Sequence, residues 1–160
     1  MFSVNCIIRE KYKLKIYHQT SSSDFADLKF FYKEHGIENV LFNFEDNIFQ
    51  HIKESNLAIT RAGASTLSEL IFLKVPFIAI PYKFAVDNHQ FENALNYEKN
   101  ECCWILKEEE FSQNKLTTLL LNIIENKEDY LRKKKNLENF SYQNNWNDIN
   151  EKLINCLNEN

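Results

Sequence analysis

The fold of this chain is decided by residues 56–98, which read NLAITRAGASTLSELIFLKVPFIAIPYKFAVDNHQFENALNYE. Short apolar runs alternate here with longer amphipathic ones, in the order strand, loop, helix, strand, loop, helix. Leu57–Thr60 is the first apolar run. In the second, the chain's only two prolines, Pro76 and Pro81, bracket four apolar residues, which is typical of a strand buried on both faces. Strands that alternate with helices through short loops predict right-handed crossovers and one parallel sheet.

The turn after the first of these strands has the composition of an anion-binding loop. Residues 61–65 are small or positively charged, and Thr66–Glu69 then fits the S/T-x-x-E capping box, which predicts a helix from Thr66 to Lys74. A helix N-terminus carries unpaired N–H groups and the positive end of the helix dipole, so this turn suits a phosphate. Gly63, one of only two glycines, is expected to let the backbone turn sharply and a ligand approach closely.

A second loop, residues 82–88, is polar and leads into another helix. That helix is predicted to begin near His89 and Gln90 and to continue through Glu98. Both strand-to-helix loops leave the same edge of a parallel sheet. In open α/β sheets the ligand crevice lies at the carboxyl ends of the strands, so we expect a ligand to bind along this edge.

At these residues the sequence resembles the donor-binding domain of the MurG family. The resemblance lies in the run Arg61–Glu69, in Pro76 and Pro81, and in Asp87–Gln90 followed by Asn93-Ala94. MurG-family proteins are bacterial transferases that move N-acetylglucosamine from its UDP carrier to undecaprenyl-linked muramyl-pentapeptide. The resemblance implies an α/β domain with a Rossmann-like parallel sheet flanked by helices, equivalent to the C-terminal half of a GT-B glycosyltransferase.

The resemblance implies substrate-binding roles in the first loop and helix. The residues expected at the diphosphate, because the turn at the helix N-terminus suits a phosphate, are Arg61, Gly63, Ala64, Ser65 and Thr66. A guanidinium beside a phosphate-facing turn suits an anion, and the alternative for Arg61 is a surface ion pair. The family position of Glu69 contacts the ribose hydroxyls, whereas spacing alone favours Glu69 as the capping-box partner of Thr66.

The resemblance also implies contacts to the donor sugar and the uracil. The family positions of His89 and Gln90 lie beside the sugar, where neutral side chains recognise hydroxyl groups, and Asn93 is compatible with a supporting hydrogen bond. An ordinary place in the first turn of a helix is the alternative for Gln90, and solvent exposure is the alternative for His89. Phe44 and the backbone at Glu45 match the stretch that frames the uracil, and core packing is the alternative for Phe44.

Family members contain parts that we expect this chain to lack. These are an N-terminal acceptor domain and, at the start of the donor domain, a strand with a Gly-Gly-Ser-x-Gly loop. The lipid-linked acceptor is therefore expected to bind through this missing acceptor domain, with a separate chain left open as its source. That domain is also expected to supply the general base, so no catalytic residue is assigned here. Two alternatives stay open: an inactive truncated fragment, and a UDP-sugar-binding module or hydrolase of related fold.

Outside this segment the same alternation of strands and helices continues. Residues 1–125 are predicted to form the nucleotide-sugar domain and residues 126–160 a helical tail that packs on it. The further predicted elements are a helix at Phe2–Ile8, a strand at Leu14–His18, a helix ending at Gly36, a strand at Val40–Phe44, a helix at Asn47–Glu54, a strand at Cys103–Leu106 and a helical region after the acidic run Glu108–Glu110.

Composition excludes several functional classes. A net charge of −4 argues against nucleic-acid binding, which needs clustered cations, although Arg132–Lys135 leaves open a contact with anionic lipid beside the commoner solvated face. No apolar run approaches the ~20 residues of a membrane span and no secretory signal is present, so we expect a cytoplasmic protein, with peripheral attachment to the inner face of the plasma membrane left open.

The histidines lack metal-site spacing, so no metal or other cofactor is expected. The four cysteines are expected to be buried hydrophobic residues.

Overall fold

The computed structural model describes residues 11–45 and 48–143, in which five strands alternate with helices. The elements are β1 Lys15–Gln19, α1 Phe25–Glu34, β2 Glu38–Phe42, α2 Ile48–Glu54, β3 Ala58–Thr60, α3 Ala64–Phe72, β4 Phe77–Ala79, α4 His89–Lys99, β5 Cys103–Ile105, α5 Gln113–Glu125 and α6 Lys127–Gln143, with short 3-10 turns at Val86–Asn88 and Glu108–Glu110. The predicted alternation is confirmed, with boundaries shifted by one or two residues. The predicted helix at Phe2–Ile8 lies outside the described residues.

All the described strand pairs are parallel, as the alternating pattern predicts. β1 pairs with β2, and β3, β4 and β5 form a second ladder with β4 in the middle. The expectation of one continuous sheet is wrong for the described residues, because no strand hydrogen bonds join the first ladder to the second. The carboxyl ends of β3, β4 and β5 still meet at one edge, and this edge carries the loops of interest.

The central strand β4 is buried on both faces. Residues of β4 and the next residue, Ile80, alternate between two hydrophobic clusters, as side chains of an extended chain must. Phe77 and Ala79 pack with α3 and Ala94, while Ile78 and Ile80 pack with Leu106 and α5. Phe77, Ile78 and Ala79 are fully buried. The prediction from the two bracketing prolines is therefore confirmed, and the strand gives the edge of the sheet a rigid base.

Helix α1 ends in the glycine cap that the sequence predicts. Gly36 has a left-handed φ of 58° and its N–H donates to the Lys33 carbonyl at 3.1 Å, while the Ile37 N–H donates to the Tyr32 carbonyl at 2.9 Å. These two bonds form a Schellman motif and satisfy carbonyl groups at the helix end. The motif turns the chain into β2, whose neighbour Ile37 packs on Leu28 of α1.

Helix α6 contributes to the main core. Leu137 is fully buried in the same cluster as residues of α3 and β4. Lys133 is also buried, and its Nζ lies 5.1 Å from the centre of the Trp104 ring. The interpretation of Arg132–Lys135 as a solvated face is therefore wrong for Lys133, and it is confirmed for the other three residues, which are exposed. Residues 144–160 of the predicted tail lie outside the described residues, and the division at residue 125 stays a prediction.

Two of the cysteines are small hydrophobic core residues, as predicted. Cys102 and Cys103 are free and fully buried, and burial raises the pKa of the Cys102 thiol to about 11 and that of Cys103 to about 12. Cys6 and Cys156 lie outside the described residues. No helix in the described part of the chain is long and apolar enough to cross a membrane.

Candidate functional site

The helix after β3 begins earlier than the capping-box pattern predicts. α3 starts at Ala64 with Gly63 as its N-cap, and the Leu67 N–H donates to the Gly63 carbonyl at 3.0 Å. Thr66 therefore lies inside the helix, where it cannot adopt the extended N-cap conformation that a capping box requires. The predicted capping box between Thr66 and Glu69 is wrong, because small residues before Thr66 already take up helical conformation.

The N-terminus of α3 has no side-chain cap among the described residues. Because the first intrahelical bond is that of Leu67, the N–H groups of Ala64, Ser65 and Thr66 have no acceptor within the helix. These residues belong to the turn that the sequence predicts as a phosphate site. Three donors that have no partner among the described residues, at the positive end of a helix dipole, form an anion-binding arrangement.

Gly63 is not required by the backbone conformation at this turn. Its φ of −69° and ψ of 136° are open to any residue, so the expectation that glycine permits a sharp turn is wrong here. A Cβ built on Gly63 meets no heavy atom within 4 Å. The remaining reason for a glycine is the space that it leaves in front of the helix N-terminus.

Glu69 presents a carboxylate that the rest of the site does not use. The residue is half-buried on α3. Its carboxylate makes no hydrogen bond or ion pair with any side chain or backbone group in the described ranges. With the capping interaction absent, both oxygens are free to accept hydrogen bonds from a pair of ligand hydroxyl groups.

Gln90 and His89 both contact the loop that precedes α4. The Tyr82 N–H donates to Gln90 Oε1 at 3.0 Å, and His89 Nδ1 lies 2.6 Å from the Val86 carbonyl. The imidazole therefore carries its proton on Nδ1 in this bond. His89 is exposed and Gln90 half-buried. Gln90 thus orders the loop, and no acceptor within the described ranges binds its amide nitrogen.

Asn93 joins the two strand-to-helix loops. Its Nδ2 donates to the carbonyl of Ala62 at 3.3 Å. Ala62 is fully buried and lies in the turn between β3 and α3. The bond therefore fixes α4 against the backbone just before the α3 N-terminus.

Arg61 forms the ion pair that the sequence left as one of two alternatives, and its partner is Glu108. Arg61 Nη2 donates to Glu108 Oε1 at 2.7 Å, and Nη1 donates to the Ile80 carbonyl at 3.3 Å. The guanidinium carbon also lies 5.6 Å from the centre of the Tyr82 ring, within cation–π range. The Arg61 side chain remains 51% exposed, so the guanidinium keeps N–H groups for a ligand.

Glu108 is a site residue that sequence reasoning missed. Its second oxygen, Oε2, accepts from the Lys83 N–H at 3.0 Å. This backbone bond, and then Arg61, holds the pKa of the Glu108 carboxyl below its usual value. From the sequence alone, Glu108 was only the first residue of an acidic run before a helix. Its position in the loop after β5, at the same edge of the sheet, is the feature that could have identified it.

Phe44 and Glu45 lie after β2, in the other ladder. Phe44 is 81% exposed, because β2 ends at Phe42 instead of continuing to Phe44, and core packing of Phe44 is therefore wrong. Glu45 is half-buried, with one oxygen 3.8 Å from His51 Nε2 of α2. The described contacts thus join Arg61 and Gln90 through Tyr82 and attach Asn93 to the turn before α3, but they do not bring Glu45 to this edge.

A cleft of about 430 Å³ opens between the loops after β4 and β5. Its walls include Tyr82, Lys83, Phe91, Lys107 and Glu108. None of the residues predicted from the sequence lines it. The cleft adjoins Arg61 through Glu108 and Tyr82, which both line the cleft and contact the guanidinium.

Comparison with known proteins identifies the family of this domain. The family model described as glycosyltransferase family 28 C-terminal domain matches residues 3–151. The chain belongs to this family. The predicted resemblance is thereby confirmed for the C-terminal domain of such a transferase.

Two curated relatives of this family 28 domain share the name UDP-N-acetylglucosamine–N-acetylmuramyl-(pentapeptide) pyrophosphoryl-undecaprenol N-acetylglucosamine transferase. The protein from Pelagibacter ubique (strain HTCC1062) is 49% identical over 158 residues, which are 98% of this chain and 44% of that protein. The protein from Rickettsia bellii (strain RML369-C) is 37% identical over 125 residues, 78% of this chain and 35% of that protein. The chain thus spans less than half the length of the curated relatives that it matches.

Solved structures support the fold of the family 28 domain. The crystal structure of Acinetobacter baumannii MurG superposes with a TM-score of 0.69 at 21% identity, over 81% of this chain and 39% of that one. The spinosyn forosaminyltransferase SpnP superposes with a TM-score of 0.53 at 10% identity, over 82% of this chain and 39% of that one. The predicted Rossmann-like half of a GT-B architecture is confirmed.

Proposed function

We propose that this chain is the donor-binding part of an N-acetylglucosaminyltransferase. It binds UDP-N-acetylglucosamine and presents it to a lipid-linked muramyl-pentapeptide, which a separate acceptor-binding domain holds. The names of the curated relatives, which specify this donor and this acceptor, support the proposal. The observation that carries it is the uncapped α3 N-terminus with Arg61 before it and the free Glu69 carboxylate behind it.

The diphosphate of the donor would lie at the N-terminus of α3. The N–H groups of Ala64, Ser65 and Thr66 would donate to phosphate oxygens, and Gly63 would leave room for the approach. Arg61 would add a charged contact from its exposed side. These groups would also stabilise the charge that develops on UDP as the glycosidic bond breaks.

The ribose and the sugar would be recognised on either side of this phosphate site. Glu69 would accept hydrogen bonds from both ribose hydroxyls, which suits a carboxylate with two free oxygens. Gln90 and His89 would contact the hydroxyl groups of N-acetylglucosamine, while Asn93 holds α4 in register with the Ala62 backbone. The exposed Phe44 ring and the backbone at Glu45 would frame the uracil, Phe44 offering an apolar surface for the base.

The chain would supply positioning and electrostatic stabilisation, and the acceptor-binding domain would supply the general base. Holding the anomeric carbon in line with the acceptor hydroxyl lowers the entropic part of the barrier. We expect neither a metal nor another cofactor to be required, because the helix dipole and Arg61 are placed to compensate the diphosphate charge. Since the acceptor is anchored in a membrane, we place the reaction at the inner face of the plasma membrane, with the chain on the cytoplasmic side.

Calorimetric titration of the purified chain with UDP-N-acetylglucosamine tests the donor-binding proposal. We expect saturable binding, weaker binding of UDP-glucose, and a loss of about tenfold or more in affinity for Glu69→Ala, since a hydrogen bond to a charged group contributes about 1.5–3 kcal/mol. Glu34→Ala, in an exposed glutamate of α1, is the matched control. A folded wild-type chain that gives no heat at millimolar ligand would refute the proposal.

A further inference from the structure

Glu108 connects three loops at the carboxyl edge of the sheet. It stands at the start of the 3-10 turn after β5, yet its two oxygens contact residues of two other loops. Oε1 accepts from Arg61, in the turn after β3, and Oε2 accepts from the Lys83 N–H, in the loop after β4. Loops that follow three neighbouring strands are therefore held together by one carboxylate.

The neighbours of Glu108 in the acidic run do not share this role. Glu109 is exposed, and Glu110 pairs with Lys115 of α5 at 3.0 Å. The Glu108 side chain is only 22% exposed, against 51% for its partner Arg61. Glu108 is thus committed to contacts within the protein, whereas Arg61 presents its other side to solvent.

The contacts of Glu108 extend to Gln90. Consecutive backbone N–H groups of the loop after β4 are bound by two side chains: Gln90 binds that of Tyr82 and Glu108 binds that of Lys83. Tyr82 in turn lies against the Arg61 guanidinium. Removal of the Glu108 carboxylate would release the backbone at Lys83 and one side of Arg61 together.

We propose that Glu108 is a positioning residue of the donor site, which holds the Arg61 guanidinium and the loop of Gln90 in place for a nucleoside diphosphate sugar. This inference rests on the proposed function, because it assumes that Arg61 meets the diphosphate. Glu108 itself does not touch the ligand. Its effect is exerted through a guanidinium that is already fixed by Glu108 and by the Ile80 carbonyl, so that little side-chain freedom is lost when the anion binds.

The test is a double-mutant cycle measured by calorimetry with UDP-N-acetylglucosamine. We expect Glu108→Ala to weaken binding about tenfold, because small displacements of a binding group are costly. Glu108→Gln keeps one acceptor oxygen but loses the charge, so an intermediate loss of about threefold is expected. In an Arg61→Ala background, Glu108→Ala should have less than about a twofold further effect, since residues that act through each other are not additive. Glu109→Gln is the matched control and should bind like the wild type.

Each contrary result has a distinct meaning. If the wild type binds and Glu108→Ala binds equally well or more tightly, Glu108 does not position Arg61 and only this inference falls. If Glu108→Ala weakens binding as much in the Arg61→Ala background as in the wild type, the inference is also overturned, because Glu108 would then act by another route. If Glu108→Ala does not fold, as judged by thermal unfolding, Glu108→Gln decides: affinity equal to that of Glu109→Gln overturns the inference. A wild-type chain without UDP-N-acetylglucosamine binding would overturn the proposed function and this inference together.

Discussion

Alanine substitution of the chain's two glycines should affect different properties, namely stability at Gly36 and donor affinity at Gly63. Gly36 has a left-handed φ of 58° in the cap of α1, whereas Gly63 is extended with a φ of −69° at the start of α3. An added Cβ meets no heavy atom within 4 Å at either position. Packing is therefore equal in the two cases, and any difference in stability must come from the backbone conformation.

The expected magnitudes follow from these angles. Gly36→Ala places an L side chain in the left-handed region, which costs roughly 1–2 kcal/mol. Gly63→Ala meets no conformational penalty: alanine is a poorer N-cap than glycine, but it also reduces the entropy of the unfolded chain by about 0.4–1 kcal/mol. The two effects at Gly63 nearly cancel, so its free energy of unfolding should change by less than about 0.5 kcal/mol.

Thermal unfolding followed by circular dichroism separates the two variants. For a chain of this size, about 1 kcal/mol shifts Tm by roughly 2–4 °C, so Gly36→Ala should melt measurably lower and Gly63→Ala close to the wild type. Calorimetry should show the reverse order: Gly63→Ala loses UDP-N-acetylglucosamine affinity because its methyl group occupies the approach to α3, while Gly36→Ala retains it. A Gly63→Ala variant that melts well below Gly36→Ala, or that binds donor like the wild type, would refute this reasoning.

Three further predictions test the packing, the capping and the thiols. Leu137→Ala should lower the free energy of unfolding by about 2–5 kcal/mol in urea titrations, as is usual for a fully buried leucine; a change below about 1 kcal/mol would mean that α6 does not complete the core. Ser112→Ala should lower the free energy of unfolding by about 1 kcal/mol because the Ser112 Oγ caps α5, whereas Thr66→Ala should lower it by less than about half of that. Equal losses would show that Thr66 does form a capping box. Cys102 and Cys103, with pKa values raised to about 11 and about 12 by burial, should resist iodoacetamide at pH 8 in peptide mapping until the chain is unfolded, and labelling of the native chain would contradict their burial.

Local patterns were sufficient for the elements of this fold. The prolines around Phe77–Ile80 predicted a doubly buried strand, and Gly36 predicted a helix end, because strand burial and left-handed caps depend on residues adjacent in sequence. The start of α3 was misplaced for the complementary reason. A capping box and an ordinary first helical turn can share the same letters at Thr66 and Glu69, and only the conformation of the residues before them separates the two.

The sequence by itself determined the alternating α/β order, the parallel pairing and, through its resemblance, the loops at which we propose that the donor binds. Tertiary structure alone decided what those loops contact. Arg61 and Glu108 are separated by 47 positions, and no periodicity or spacing relates residues so far apart. Their pairing arises because parallel strands bring the loops after β3 and β5 to one edge of the sheet on either side of β4, which is a property of the assembled sheet and of no single segment.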